Sequence, residues 1–352
     1  MRRTWMNVPN LALSGLLFVL ACSSSHDAGS LSSPATPPST NTSAGLTHGS
    51  QIDASNTGVP AGHAMVDVTS TIIVTEDWIA NQNGGSRVLE NRNFRSGASL
   101  LIGVKGFTVR FCKFNGQSSL SENPNTGGLP LGSDMVVEDS EFDGNHENTG
   151  GSVAIFASNL TLRRVHIHRW PRALFTGDGN LRVEECYLHD LTADGCDAHL
   201  ENIYDAGGAN QTFLRNKFIS NEIHINGDSR MMTSASLAIY NESYDRGMPY
   251  AAFPALDGIL VQDNYLESDG HYTLYGGACV GKLGTYARNT VFTGNVFGRT
   301  LHRRSGVSGP AVAFDPLQPG NAWTHNTWGP RGPQWQSGDP EEGDEVPAPN
   351  PN

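Results

Sequence analysis

The chain has 352 residues, with 23 Lys and Arg against 35 Asp and Glu, for a net charge of −12. That balance argues against nucleic acid as a partner and against a purely electrostatic grip on anionic polymers. With the two ends set aside, residues 61–336 remain as one elongated domain, and no second core is suggested.

Residues 1–22 read as an export signal, with Arg2 and Arg3 ahead of an apolar run at 11–20. The run is too short to span a membrane. Val19-Leu20-Ala21-Cys22 resembles the lipobox of bacterial lipoproteins. That resemblance implies cleavage before Cys22, acylation of Cys22 and a lipid anchor at the bacterial cell surface. Ser23 is compatible with the outer membrane if the source is Gram-negative. Residues 23–60 are Ser-, Thr-, Pro-, Gly- and Asn-rich and read as a flexible tether. The acidic, Pro-rich tail 337–352 is expected to be loose.

Between the ends one phrase recurs nine times: an apolar residue, four others, and a second apolar residue. Its copies are 89–94, 109–114, 137–142, 162–167, 183–188, 213–218, 261–266, 292–297 and 323–328. Their last residues lie 20, 28, 25, 21, 30, 48, 31 and 31 apart, the mark of a solenoid with variable insertions. The 48-residue step is long enough to hide an extra coil. The segments are short, rich in Val, Leu, Phe and Thr, and bounded by Gly, Asn and Asp, which reads as strands. Four copies place Asn in one slot: Asn216, Asn264, Asn295 and Asn326. Asn tolerates left-handed backbone at a corner, and stacked amides can also bond one another. Earlier copies hold Cys112, Ser140, Val165 and Cys186 there. A second phrase precedes the first in most coils, as in Ala173-Leu174-Phe175 or Thr273-Leu274-Tyr275. The expected fold is all-β, a right-handed single-stranded parallel β-helix with three faces, its hand following from the crossover preference.

Charges after the first apolar residue alternate in sign along the coils: Glu90, Arg110, Glu138, Arg163, Glu184 and, one position on, Asp139, Arg164, Glu185, Arg215, Asp263. Stacked about 4.8 Å apart, they form two ladders of ion pairs that fix register and need no catalytic role. Cys112 and Cys186 share a slot too many coils apart to bridge. A Cys196–Cys279 or Cys186–Cys196 disulfide stays open.

Long loops are expected at one corner, before the strands that end in Phe156, Phe175, Tyr204, Tyr240, Tyr275 and Phe314. Alternation with buried aliphatics puts these six rings outside, as a strip for sugar faces; an inward core stack is the alternative. The 189–204 loop packs Asp190, Asp194, Asp197 and Glu201 with His189 and His199, the groups that proton abstraction, glycoside cleavage or calcium binding need. Segment 268–277 adds Asp269, His271, Tyr272 and Tyr275. Arg172 and Glu201 fall on neighbouring strands, where an ion pair is expected. His166 and His168 flank Ile167 and point outward near His146, but no spacing demands a metal there.

Segment 199–204 resembles the H-x-D-G-I-Q motif of exported and phage β-helix proteins. His199 and Ile203 match it; Glu201, Asn202 and Tyr204 replace its Asp, Gly and Gln. Segment 268–277 resembles the GGGYT segment of such proteins. The chain is thus similar, over about residues 66–330, to the right-handed parallel β-helix, or pectate-lyase-like, superfamily. That superfamily holds polysaccharide lyases, uronan epimerases, glycoside hydrolases, tailspikes and non-catalytic adhesins, and the fold does not choose among them. Its uronan-acting members typically use calcium, the one cofactor the resemblance implies. Two functions follow as expectations. One is a surface lipoprotein that cleaves or modifies a polysaccharide, with Asp197, His199, Glu201 and His271 as acid/base set and Arg172, Tyr204, Tyr240, Asp269, Tyr272 and Tyr275 as substrate contacts. The other is a non-catalytic glycan-binding or structural lipoprotein. A monomer or a β-helix trimer is expected.

Overall fold

The structure, a computed structural model, describes residues 47–122, 134–148, 152–177, 179–193, 200–224, 235–240, 256–277 and 287–349. Parallel strands form three stacked sheets of ten, nine and nine strands, the arrangement of a parallel β-helix. In each coil the chain passes from sheet 3, through a tight corner, to sheet 1 and then to sheet 2. Strands on every face are two to six residues long.

The apolar phrase sets this register. Leu89, Val109, Val137, Leu162, Val183, Phe213, Val261, Phe292 and Trp323 stack in sheet 3. Phe94, Phe114, Phe142, Ile167, Leu188, Phe218, Leu266, Phe297 and Trp328 stack in sheet 1. All but Trp323 are buried in one continuous core. Phe94, Phe114 and Phe142 stack face to face at 4.4 and 4.3 Å. The 48-residue step hides no extra coil, because Phe218 pairs directly with Leu266 and Phe213 with Val261.

At the tight corner the four Asn form a buried ladder. Asn216 Nδ2 donates to Asn264 Oδ1, Asn264 Nδ2 to Asn295 Oδ1, and Asn295 Nδ2 to Asn326 Oδ1, at 2.8–2.9 Å. The left-handed backbone lies one residue earlier, not in the Asn slot. Asp139, Arg164, Glu185, Arg215 and Asp263 have φ of 47–56°, and Gly294 takes the same place. Amide bonding, rather than conformational tolerance, therefore selects Asn here. The charge ladders form as expected, with Arg110–Glu90 at 2.6 Å, Arg215–Glu184 at 2.6 Å and a buried bidentate Arg164–Asp139 pair at 2.6 and 2.7 Å. Cys112 and Cys186 are free thiols, so Cys186 is not bridged to Cys196. Burial pushes both up to about 12.

The ends differ from the sequence reading. Helix α1 (Glu76–Gln82) lies between the first strands of sheets 2 and 3, N-capped by Thr75, with Ile79 buried and Trp78 edge-on to Phe107. Part of the expected tether is laid across the coil corners. Gly49 N donates to Asp263 O, Gly58 N donates to Arg164 O, and His63 stacks on Phe111. Gly49 packs so closely on Asn216 O and Tyr265 N that a Cβ would collide with backbone. The tail is also bonded to the last coil: Trp328 N donates to Asp344 O, and Val346 joins the core.

Candidate functional site

Sheet 2 carries Arg172, Glu201, Tyr204, Tyr272 and Tyr275, half of the ten expected site residues. Phe175 and Tyr204 pair in register, each between buried neighbours: Leu174 and Thr176, and Ile203 and Asp205. Their rings are half-buried on the outer side of the sheet. Ring centroids follow one another at 5.2 Å (Phe156–Phe175), 5.0 Å (Phe175–Tyr204), 5.0 Å (Tyr204–Tyr240) and 5.3 Å (Tyr240–Tyr275). Tyr272 stands edge-on to Tyr275 at 5.7 Å.

Two residues leave the expected slot. Ala238, not Tyr240, sits between Tyr204 and Tyr275 in register. Tyr240 lies two residues further on, and its ring fills the gap over the small Ala238. Phe314 is likewise displaced: Val312 pairs with Tyr275, while Phe314 is buried against Phe292 and Trp323. The strip is therefore five rings long and faces outward. Long connections fall on both sides of sheet 2, since one also separates strand Ala235–Ile239 from Asp257–Gln262.

Arg172 and Glu201 support the strip. Arg172 Nη2 and Nε lie 3.0 and 3.2 Å from Glu201 Oε2, and the guanidinium carbon is 4.9 Å from the Tyr204 ring centre. Glu201 is wholly buried. Burial first, and then the Glu201 charge, push the Tyr275 phenol up to about 12. A sealed, ion-paired carboxylate is poorly placed to exchange protons with a substrate. His271 is exposed, 3.4 Å from Ser308 Oγ. Asp269 is half-buried, its N–H donating to Ser220 O. Asp194, Cys196, Asp197, His199, Cys279 and Cys22 lie outside the described residues.

A second cluster lies on the outer side of sheet 1, and sequence reasoning did not assemble it. Lys113, Glu141, His166, Tyr187 and Lys217 pair in one column, and Asp143, His168 and His189 in the next. His166 Nε2 is 2.8 Å from His189 Nε2, and His168 Nε2 is 3.1 Å from Glu141 Oε1. Burial first, then electrostatic repulsion from the neighbouring His168 and His189 rings were they protonated, depress the His166 imidazole to about 3. Burial would raise Glu141, but the His168 hydrogen bond and Lys113 outweigh it and hold the carboxyl at about 2. The hydrogen bond from His189 is the main cause that holds Asp190 at about 2. The signal for this cluster was the register itself, which places His168 and His189 each one residue past an inward apolar residue. His146 and Glu147, by contrast, serve the corner: His146 Nδ1 meets Thr192 Oγ1 at 2.9 Å, and Glu147 accepts from Ser96 and Asn145.

In comparisons with known proteins, no family model, no curated protein and no solved structure matches the chain.

Proposed function

We propose that the protein binds a polysaccharide along the outer face of sheet 2, without catalysis at Glu201, while tethered to a membrane through an acylated Cys22. The observation that carries this reading is the outward ladder of Phe156, Phe175, Tyr204, Tyr240 and Tyr275, with rings about 5 Å apart along the solenoid. Stacked side chains on a rigid sheet present a continuous row of apolar ring edges, with Tyr240 tilted 48° and 45° to its neighbours, at little entropic cost, and the phenols add a polar rim for hydroxyl groups. The Arg172–Glu201 pair holds Tyr204 and neutralises its own charge. With a net charge of −12, a neutral glycan suits this face better than an anionic one.

Affinity electrophoresis against a panel of neutral and uronate-containing polysaccharides tests the reading. Retardation by a neutral glycan that falls at least 10-fold in Tyr204→Ala and Tyr275→Ala supports it. Wild-type retardation in both variants overturns it. New reducing ends or unsaturated-uronate absorbance, assayed with and without calcium, would establish the enzymatic alternative instead. Cys22→Ala is expected to move the protein to the soluble fraction; continued partition with membranes would refute the lipid anchor.

A further inference from the structure

We propose that His166, His168 and His189 on sheet 1 form a binding site for a divalent transition-metal ion of the zinc class. The site is independent of the glycan face. One ligand-type atom from each of the three rings lies within 4.8 Å of the other two, and a second such triad joins Glu141, Asp143 and His168.

Hydrogen-bond logic gives the rings their proton positions. Asp190 Oδ2, which only accepts, is 3.0 Å from His189 Nδ1, so that nitrogen carries the proton and Nε2 holds a lone pair. Arg169 Nε donates to His168 Nδ1 at 3.1 Å, so His168 carries its proton on Nε2, towards Glu141. Without a cation, His166 must place its own proton on Nε2, between itself and His189 at 2.8 Å. With a cation it presents that lone pair and carries the proton on Nδ1, a tautomer change that releases no proton. His168 presents Nε2 as a ligand atom only by moving its proton to Nδ1, which gives up the hydrogen bond from Arg169 Nε.

Ring stacking alone does not account for this arrangement. The rings do stack, at 4.3, 5.0 and 5.4 Å between centroids. Stacking, however, does not require two Nε2 atoms to approach to 2.8 Å, nor a carboxylate behind His189. A carboxylate on the far nitrogen of a ligating imidazole is the usual way that a metal site fixes ring orientation. Imidazole ligands select zinc, cobalt, nickel or copper over calcium and magnesium. Three nitrogen ligands leave a fourth position for Glu141 or a water molecule.

The test is titration of tag-free full-length protein with Co2+ followed by visible absorption, with Zn2+ competition and Ca2+ as control. The expected result is one Co2+ per chain, displaced by Zn2+ and indifferent to Ca2+. His166→Ala and His189→Gln should each weaken binding at least 100-fold, and Asp190→Asn by roughly 10- to 100-fold. His271→Ala, elsewhere on the surface, should leave binding unchanged. Absence of stoichiometric binding by wild type at micromolar metal overturns the proposal. So does unchanged binding by the folded Asp190→Asn and His189→Gln variants. Should His166→Ala fail to fold, the two milder variants decide the matter.

Discussion

Asn264→Ala removes the centre of the corner ladder, and the structure gives its cost. Asn264 Oδ1 accepts from Asn216 N at 2.8 Å and from Asn216 Nδ2 at 2.9 Å. Its Nδ2 lies 2.9 Å from Phe213 O, Gln262 O and Asn295 Oδ1. Asn216 Nδ2 keeps Val183 O, and Asn295 Oδ1 keeps the backbone N–H of residue 264. The side-chain partners of Asn216 N and Phe213 O are lost in a buried corner. At about 1–3 kcal/mol for each such group, plus a small cavity, the loss is about 3–5 kcal/mol. Equilibrium urea unfolding reads this as a lower midpoint at constant slope. Asn264→Cys should lose less, because Cys186 fills the equivalent slot and its sulfur lies 3.4 Å from Val165 N. An Ala variant within about 1 kcal/mol of wild type would show that the ladder is incidental to stability.

Val183→Asp places a carboxylate among wholly buried apolar side chains and should cost several kcal/mol; an unchanged melting temperature would contradict the register. Glu201→Gln keeps the size of the side chain but discharges one partner of a buried pair, and should cost about 2 kcal/mol in urea unfolding. Asp205 carries a carboxyl that burial raises to about 8, against partial lowering by hydrogen bonds from Gly207 and Gln211. The folded state therefore holds this proton more tightly than the unfolded chain does. The Asp205 contribution is favourable below about pH 4 and is lost progressively up to about pH 8. Asp205→Asn should accordingly gain on wild type by up to about 1.4 kcal/mol per pH unit between pH 5 and 7.5. A stability gap that does not widen over that range would show Asp205 to be ionised in the fold.

The core and its register were legible because each short strand turns one or two apolar side chains inward at a fixed distance from the corner. Insertions change the loops without disturbing that distance. Tyr240 was misplaced for a physical reason. Leu237-Ala238-Ile239-Tyr240 offers two inward pairs of similar character, and the choice between them rests on whether Ala238 or Tyr240 fits beneath Tyr204 and Tyr275. Size complementarity across coils decides it, and a linear pattern does not contain that information. The segment around Gly49 and Gly58 was misread because small polar residues serve equally for a loose tether and for a chain hydrogen-bonded to successive corners. The His cluster draws on three coils, so it becomes readable only when all of them are stacked.

The three outer faces follow one rule with different outcomes. Parallel in-register stacking places equivalent side chains about 4.8 Å apart, so each column must be composed of residues that tolerate their own kind or alternate in sign. Sheet 3 alternates Glu and Arg, and its charges pair off. Sheet 2 stacks aromatics, which attract one another and leave their edges to solvent. Sheet 1 stacks imidazoles, with ring centroids 4.3–5.4 Å apart. Burial and the neighbouring rings keep His166 in the uncharged state, and His189 has its far nitrogen held by Asp190. A column with no chemistry to perform would satisfy the stacking rule more simply with alternating charges, as sheet 3 does. Sheets 1 and 2 depart from that solution, and the proposed metal and glycan sites lie on these two faces.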